Sequence, residues 1–169
     1  MSEARNFLVP ITQGRHQRLT AGVLDDRAMD AFSMGQCLAL AVEYIRATEP
    51  NDIPVFLKLM FQVDPETGRE WFVHAYVVDV LGRKIDVRGV QEEIQYVGWW
   101  AVHYSKYRFR LQLLTVDDVK SMTNDEIVAL TPGSGPKQRF DVARHFVEAV
   151  MAQAGSIIAA GKTHYLSMP

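Results

Sequence analysis

Apolar residues recur at Leu38, Ala41, Val42 and Ile45, the spacing that places side chains on one face of an α-helix. This pattern predicts a helix ending near Ala47, closed by Glu49-Pro50-Asn51-Asp52, with Ser33 as its N-cap and Asp25–Phe32 a helical turn leading in. Val55–Val63 is an almost unbroken apolar run, expected as a largely buried strand. Asp64-Pro65-Glu66-Thr67-Gly68 has turn chemistry, so the next apolar run, Trp71 to Val80, should return antiparallel. Tyr107–Leu113 alternates and predicts a strand with one wet face. Thr115 is placed to cap a short helix over 116–122, and 124–130 is a second one. Phe140, Ala143, Val147, Val150, Met151 and Ala154 make one face of a long helix.

The remaining segments are read by composition. Phe7-Leu8-Val9 is a short strand ending at Pro10, and Arg15-His16-Gln17-Arg18 a solvated loop. Residues 90–96 are expected as a short helix, and the aromatic stretch Trp99, Trp100, Tyr104 and Tyr107 as a lid on the core. Thr131–Pro136 is a linker; its Gly133-Ser134-Gly135-Pro136-Lys137 lacks the full phosphate-loop pattern and a preceding parallel strand. No internal repeat is visible. The expectation is a single α+β domain over 1–160 with a tail at 161–169.

The hairpin after Trp71 can be registered on paper. Gly82 tolerates a positive φ, so Val80-Leu81-Gly82 suits a three-residue loop with a bulge. Asp79 then faces Arg83, Tyr76 faces Asp86 and His74 faces Arg88. His74 and Asp86 become diagonal neighbours on one face, about 7–8 Å apart between backbones. Asp79 falls on the other face. A two-residue loop would instead set Asp86 opposite Asp79.

Composition narrows the function classes. The 169 residues are 48% hydrophobic and 22% charged, with a formal net charge of −2. That balance offers no bulk attraction to nucleic acid or to an anionic membrane. A single cysteine, Cys37, cannot form an internal disulfide. No apolar run reaches the length of a membrane span, and Met1–Asn6 has no signal-peptide core. The expected location is the cytoplasm, the chain's own or that of a host into which it is delivered. No pair of histidines has metal-ligand spacing, so neither a metal nor a cofactor is expected.

Cys37 lies at the start of the first helix, where unpaired N–H groups and the helix dipole favour a thiolate. His74 could serve as its base and Asp86 as the group that orients the base. His103 is the reserve base; His145 is expected on a helix surface, and His16 and His164 in loop and tail.

Gly35-Gln36-Cys37-Leu38-Ala39-Leu40-Ala41, His74-Ala75-Tyr76-Val77-Val78 and Gly82-Arg83-Lys84-Ile85-Asp86 resemble, in order and spacing, the three motif blocks of the papain-like superfamily. The nearest branches are NlpC/P60-like and transglutaminase-like hydrolases. Asp86-Val87-Arg88-Gly89-Val90 also resembles the ending of uncharacterised bacterial and phage proteins with the same motif order. The resemblance covers about residues 30–100. It implies a Cys-bearing helix packed on an antiparallel sheet, and hydrolysis of an amide or peptide bond through a Cys37 thioester. Its alternatives are a non-catalytic protein-binding factor of phage or mobile-element type on the same fold, and a transglutaminase-type acyltransferase. The implied partner is a peptide or protein substrate. The chain departs from papain in lacking a glutamine one turn before Cys37; Gln36 is adjacent instead. Gln36 and the Cys37 N–H are therefore the oxyanion candidates. Arg88, set across from His74, is expected either to pin Asp86 or to bind a substrate carboxylate.

Overall fold

The computed structural model describes residues 5–133 and 135–161. It is an α+β fold around a five-stranded antiparallel sheet. The strands are β3 (Val55–Val63), β4 (Glu70–Asp79), β5 (Arg83–Asp86), β6 (Gly89–Glu92) and β7 (Arg108–Leu114), in the spatial order β6-β5-β4-β3-β7. A separate two-stranded hairpin, β1 (Asn6–Pro10) with β2 (His16–Thr20), lies at the N-terminal end. The basic cluster at 15–18 is thus mostly strand, not loop. Its polar side chains hide the strand signal, because only Leu19 of β2 is buried.

The helices are α1 (Asp26–Ser33), α2 (Cys37–Ala47), α3 (Glu93–His103), α4 (Val116–Ser121), α5 (Asn124–Ala129), α6 (Phe140–Ala143) and α7 (Val147–Ala159). Asp25 caps α1 by accepting from Ala28 N–H at 3.0 Å. Thr115 and Thr123 form capping boxes with Asp118 and Glu126. Residues 90–92 belong to β6, so the expected helix starts later and runs to His103. The long C-terminal helix is broken. Between α6 and α7, Arg144 reaches back to Glu43 of α2 at 3.0 Å, and Phe146 is fully buried edge-on against Phe32. These tertiary contacts override the continuous apolar stripe.

The hairpin register agrees with the paper model, Val77 facing Ile85 and Val78 facing Lys84. The two faces of the sheet bury different chemistry. One face carries Leu57, Leu59, Phe61, Ala75, Val77 and Ile85, and joins α1, α2, α4, α5, α6 and α7 in one large core. The other carries Met60, Tyr76 and Val78, covered by Tyr96, Val97 and Trp100 of α3 and by Phe109. The aromatic stretch thus covers the second face. A bulge between Met60 and Phe61 decides the face of Phe72 relative to His74. Met60 pairs with His74, but Phe61 pairs with Phe72, leaving Val73 as the extra residue. Phe72 therefore packs on Phe61 in the large core, whereas His74 stacks with Tyr76 and Tyr96 on the opposite face.

Candidate active site

Cys37 is the first residue of α2, and a converging set of contacts fixes the chain there. Gly35 has φ +136, and a Cβ at this position would lie 2.6 Å from Pro136 Cγ, so only glycine fits. Ser33 closes α1 and does not cap α2; the N-cap is Gln36, which makes no side-chain cap. Gln138 supplies the cap instead, its Oε1 accepting from Ala39 N–H at 3.1 Å while its Nε2 donates to Gly35 O and Pro136 O. Gln36 reciprocates. Its fully buried Nε2 donates to Pro10 O at 2.7 Å and Lys137 O at 3.0 Å, and its Oε1 accepts from Arg139 N–H. An amide has two N–H donors, and both are used. The expectation that Gln36 serves the oxyanion or the substrate is therefore corrected: it is half of a two-glutamine clasp that locks the start of α2. The Cys37 N–H, first of its helix, meets no backbone acceptor among the described residues.

The thiol packs beside Ala75, Val77 and Asp86 in a narrow, mostly apolar cleft. The N–H groups of Ala75, on the stretch of β4 beyond its ladder with β5, and of Leu38 lie near the Cys37 sulfur and favour its ionised form. Here α2, which packs on the aliphatic face, meets His74, which belongs to the aromatic face. The thiol and the imidazole are close neighbours, each shifting the titration of the other. His74 Nε2 lies 3.4 Å from Asp86 Oδ2. Asp86 Oδ1 accepts from the Arg88 N–H at 2.9 Å.

Sequence reasoning missed Lys84. Its side chain is 3% exposed, its Nζ pairs with Asp86 Oδ2, and it sits 4.2 Å from the centre of the Tyr96 ring. A lysine on a strand normally reads as a solvent-facing position. The available signal was parity: Lys84 and Asp86 share a face by period two.

Burial and charge act in opposite directions on all three titrating groups. Burial alone would push the Cys37 thiol up, but the charge and hydrogen bond of His74, with the two backbone N–H groups, bring it below its ordinary value. Burial likewise opposes the imidazolium, and is outweighed by the Cys37 thiolate and by Asp86, so that His74 is raised to about 9. Burial opposes the Asp86 carboxylate too, yet Lys84 and then His74 hold it well below the usual carboxylate range. Both shifts run in the direction that favours a thiolate–imidazolium pair.

The other expected residues fall elsewhere. Asp79 lies on the aliphatic face, buried, and accepts from the N–H groups of Leu81 and Arg83 and from Arg83 Nε. The Arg88 guanidinium does not pin Asp86; its Nε donates to Ser33 Oγ at 2.9 Å. Only the backbone of Arg88 holds the carboxylate, because the ladder with β4 ends before residue 88 and the side chain turns toward α1. His103 is exposed at the end of α3, bonded to Trp99 O and stacked on its ring. His145 is exposed and stacks on Phe7. His164 lies outside the described residues. Among the described residues no cluster of His, Cys, Asp and Glu is arranged to hold a metal ion, and no helix is long and apolar enough to cross a membrane.

Comparison with protein-family models, with curated proteins and with solved structures gives no match.

Proposed function

We propose that this protein is a cysteine hydrolase of papain-like organisation that cleaves an amide or peptide bond. The observation that carries the reading is the buried chain Cys37–His74–Asp86, in which the thiol is lowered and the imidazole raised by one another. Two independent sequence segments, a helix start and a strand hairpin, converge to make it. A buried thiol with only a packing role has no need of an adjacent histidine that is itself backed by a carboxylate.

In this mechanism the Cys37 thiolate attacks the scissile carbonyl carbon and forms the S–C bond. The Cys37 N–H, at the positive end of α2, stabilises the developing oxyanion. Collapse breaks the C–N bond as the His74 imidazolium gives its proton to the leaving amine. His74, now neutral, removes a proton from water as the hydroxide adds to the thioester. The S–C bond breaks with its electron pair returning to sulfur, and the acid product leaves a thiolate–imidazolium pair behind. Asp86 keeps the ring oriented throughout.

The test is acylation. Incubation with an activated ester such as p-nitrophenyl acetate should put one acetyl group on Cys37, seen by intact-protein and peptide mass spectrometry. His74→Ala should lose it, and added water should release acetate. Cys37 alkylated no faster than a free thiol and never acylated would make it a core residue. Transfer of the acyl group to an added amine in preference to water would favour the acyltransferase reading.

A further inference from the structure

The mechanism above leaves one buried ionised group unused. Lys84 is enclosed on the aromatic face, and its ammonium takes the same Asp86 oxygen that His74 Nε2 faces at 3.4 Å. A buried lysine is expensive to keep charged unless paired. In the thiolate–imidazolium state on which the mechanism draws, the four charges sum to zero: thiolate, imidazolium, carboxylate and ammonium. Each lies against a partner of opposite sign, and the Tyr96 ring closes over the ammonium at 4.2 Å. Without Lys84 the same cluster would hold an excess negative charge beside the imidazole.

Building on the hydrolase reading, we infer that Lys84 is a positioning residue of this site. Its ammonium fixes the Asp86 carboxylate and balances its charge, and so sets how firmly His74 holds the proton it must release to the leaving amine. A bare buried carboxylate would bind the imidazolium tightly and make it a poor acid. A carboxylate shared with Lys84 still orients the ring but attracts its proton less. The Arg88 N–H on Oδ1 and the ammonium on Oδ2 together leave the carboxylate no freedom to rotate.

The groups that face His74 are few. They are Cys37 from α2, Tyr76 on its own strand, Asp86 with Lys84 from β5, and Tyr96 from α3. Tyr76 donates to Glu93, which Lys58 neutralises at 2.7 Å. Burial first, and then the neighbouring Glu93 charge for Tyr76 and Asp86 charge for Tyr96, hold both phenols protonated. The Arg88 charge reaches Tyr96. Lys84 is therefore the cation in direct contact with the carboxylate that orients His74.

The experiment follows the His74 ring by NMR across pH, with no substrate present, in the wild type, Lys84→Met, Asp86→Asn and the double variant. Removing Lys84 alone should move the His74 titration upward by about one pH unit, a tenfold tighter proton. The double variant removes both charges, so it folds without an unpaired buried ion. Its His74 should titrate above that of Asp86→Asn, in which Lys84 is left beside the ring. A titration that Lys84→Met leaves in place or lowers would overturn the inference, and so would a double variant matching Asp86→Asn. Because no turnover is read, the two proposals fail separately. A Lys84-dependent titration without acylation of Cys37 removes the hydrolase reading alone. Acylation with a Lys84-independent titration removes this one alone.

Discussion

The two faces of the sheet solve the problem of burial in opposite ways. The aliphatic face shares one core with six helices and is packed with Val, Leu, Ile, Ala and Phe. Its main buried acid, Asp79, spends its hydrogen bonds on the Val80–Arg83 turn and on Arg83. The aromatic face is covered chiefly by α3, and its small core of Met60, Tyr76, Val78 and Tyr96 borders two ionic groups, the half-buried Lys58–Glu93 pair that takes the Tyr76 hydroxyl and the more enclosed Lys84–Asp86–His74. The first face is a stability device that any well-packed aliphatic set could supply. The second keeps charged groups out of water at the expense of desolvation. Such an arrangement persists where an ionised group is needed in a set position. Cys37 joins the two, rooted in the aliphatic core by α2 and set beside a histidine of the other face.

The contrast can be broken most severely at His74. With His74→Ala, burial acts on Cys37 unopposed by the imidazolium. Alkylation of Cys37 by iodoacetamide at pH 7 should fall at least about tenfold, read by mass spectrometry over time. In the wild type the His74 ring should titrate near 9 instead of the ordinary 6.5. The sign follows from the direction of the shift: His74 is a cation below about 9, and amide cleavage that draws on its proton should decline as pH rises through that value.

Next in size is the pair of aspartates. Asp86→Asn should cut thiol reactivity several-fold, to about tenfold, because the imidazolium loses its anion and its orientation. It should also lower the His74 titration. Asp79→Asn should leave reactivity within about twofold, yet lower the unfolding free energy by about 1–3 kcal/mol as the bonds of the turn and Arg83 weaken, seen as a lower urea midpoint. If the two variants exchange these signatures, the assignment of one face to chemistry and the other to stability is wrong.

Much of this division was legible from sequence. Gly82 and the polarity around it gave the hairpin register, and with it the shared face of Asp86 and Tyr76 and the exclusion of Asp79. The apolar period gave α2 and β3, and Thr115 gave the start of α4. What stayed hidden depends on contacts distant in the chain. The Val73 bulge, which turns His74 away from Phe72, has no local signature, because a single inserted residue leaves the apolar run intact. The clasp joins residues about a hundred positions apart. The α6–α7 break follows from Arg144 finding Glu43 and Phe146 finding Phe32. β2 and β6 are short and polar, and only their partners make them strands. Arg88 illustrates the limit of register: extending the pairing sets it across from His74, but β5 ends at Asp86 and its side chain turns to Ser33.

The clasp gives a smaller effect on reactivity and a clear one on stability. Gln36→Glu keeps the shape but turns the Nε2 donor into an acceptor facing Pro10 O and Lys137 O. The loss should be about 2–4 kcal/mol in the urea midpoint analysis, from buried groups left unpaired. Activity per folded molecule should fall by less than about threefold. Removal of an oxyanion donor costs on the order of a hundredfold or more, so a loss of that size with the fold intact would return Gln36 to the reaction.

The smallest expected effect is that of Arg88→Lys on the thiol. The Arg88 backbone N–H, which holds Asp86, survives the substitution; the side chain loses only its Nε bond to Ser33 and its planar fork. Cys37 alkylation should therefore stay within about twofold of wild type. The guanidinium is half-buried two residues beyond Asp86, its one charge-bearing contact is a neutral hydroxyl, and no carboxylate of the described residues pairs with it. A cation so placed is suited to an acidic group on the substrate, for which a lysine is a poor replacement where the contact is bidentate. Paired amide substrates with and without a carboxylate near the scissile bond measure this directly. Arg88→Lys should lower kcat/KM for the acidic member by roughly tenfold, the scale of a charge-assisted hydrogen bond, and leave the neutral member nearly unchanged. Equal losses on both would mean that Arg88 acts by holding α1 against the site through Ser33. A fall in thiol reactivity without substrate would mean that the side chain, and not only the backbone, steadies Asp86.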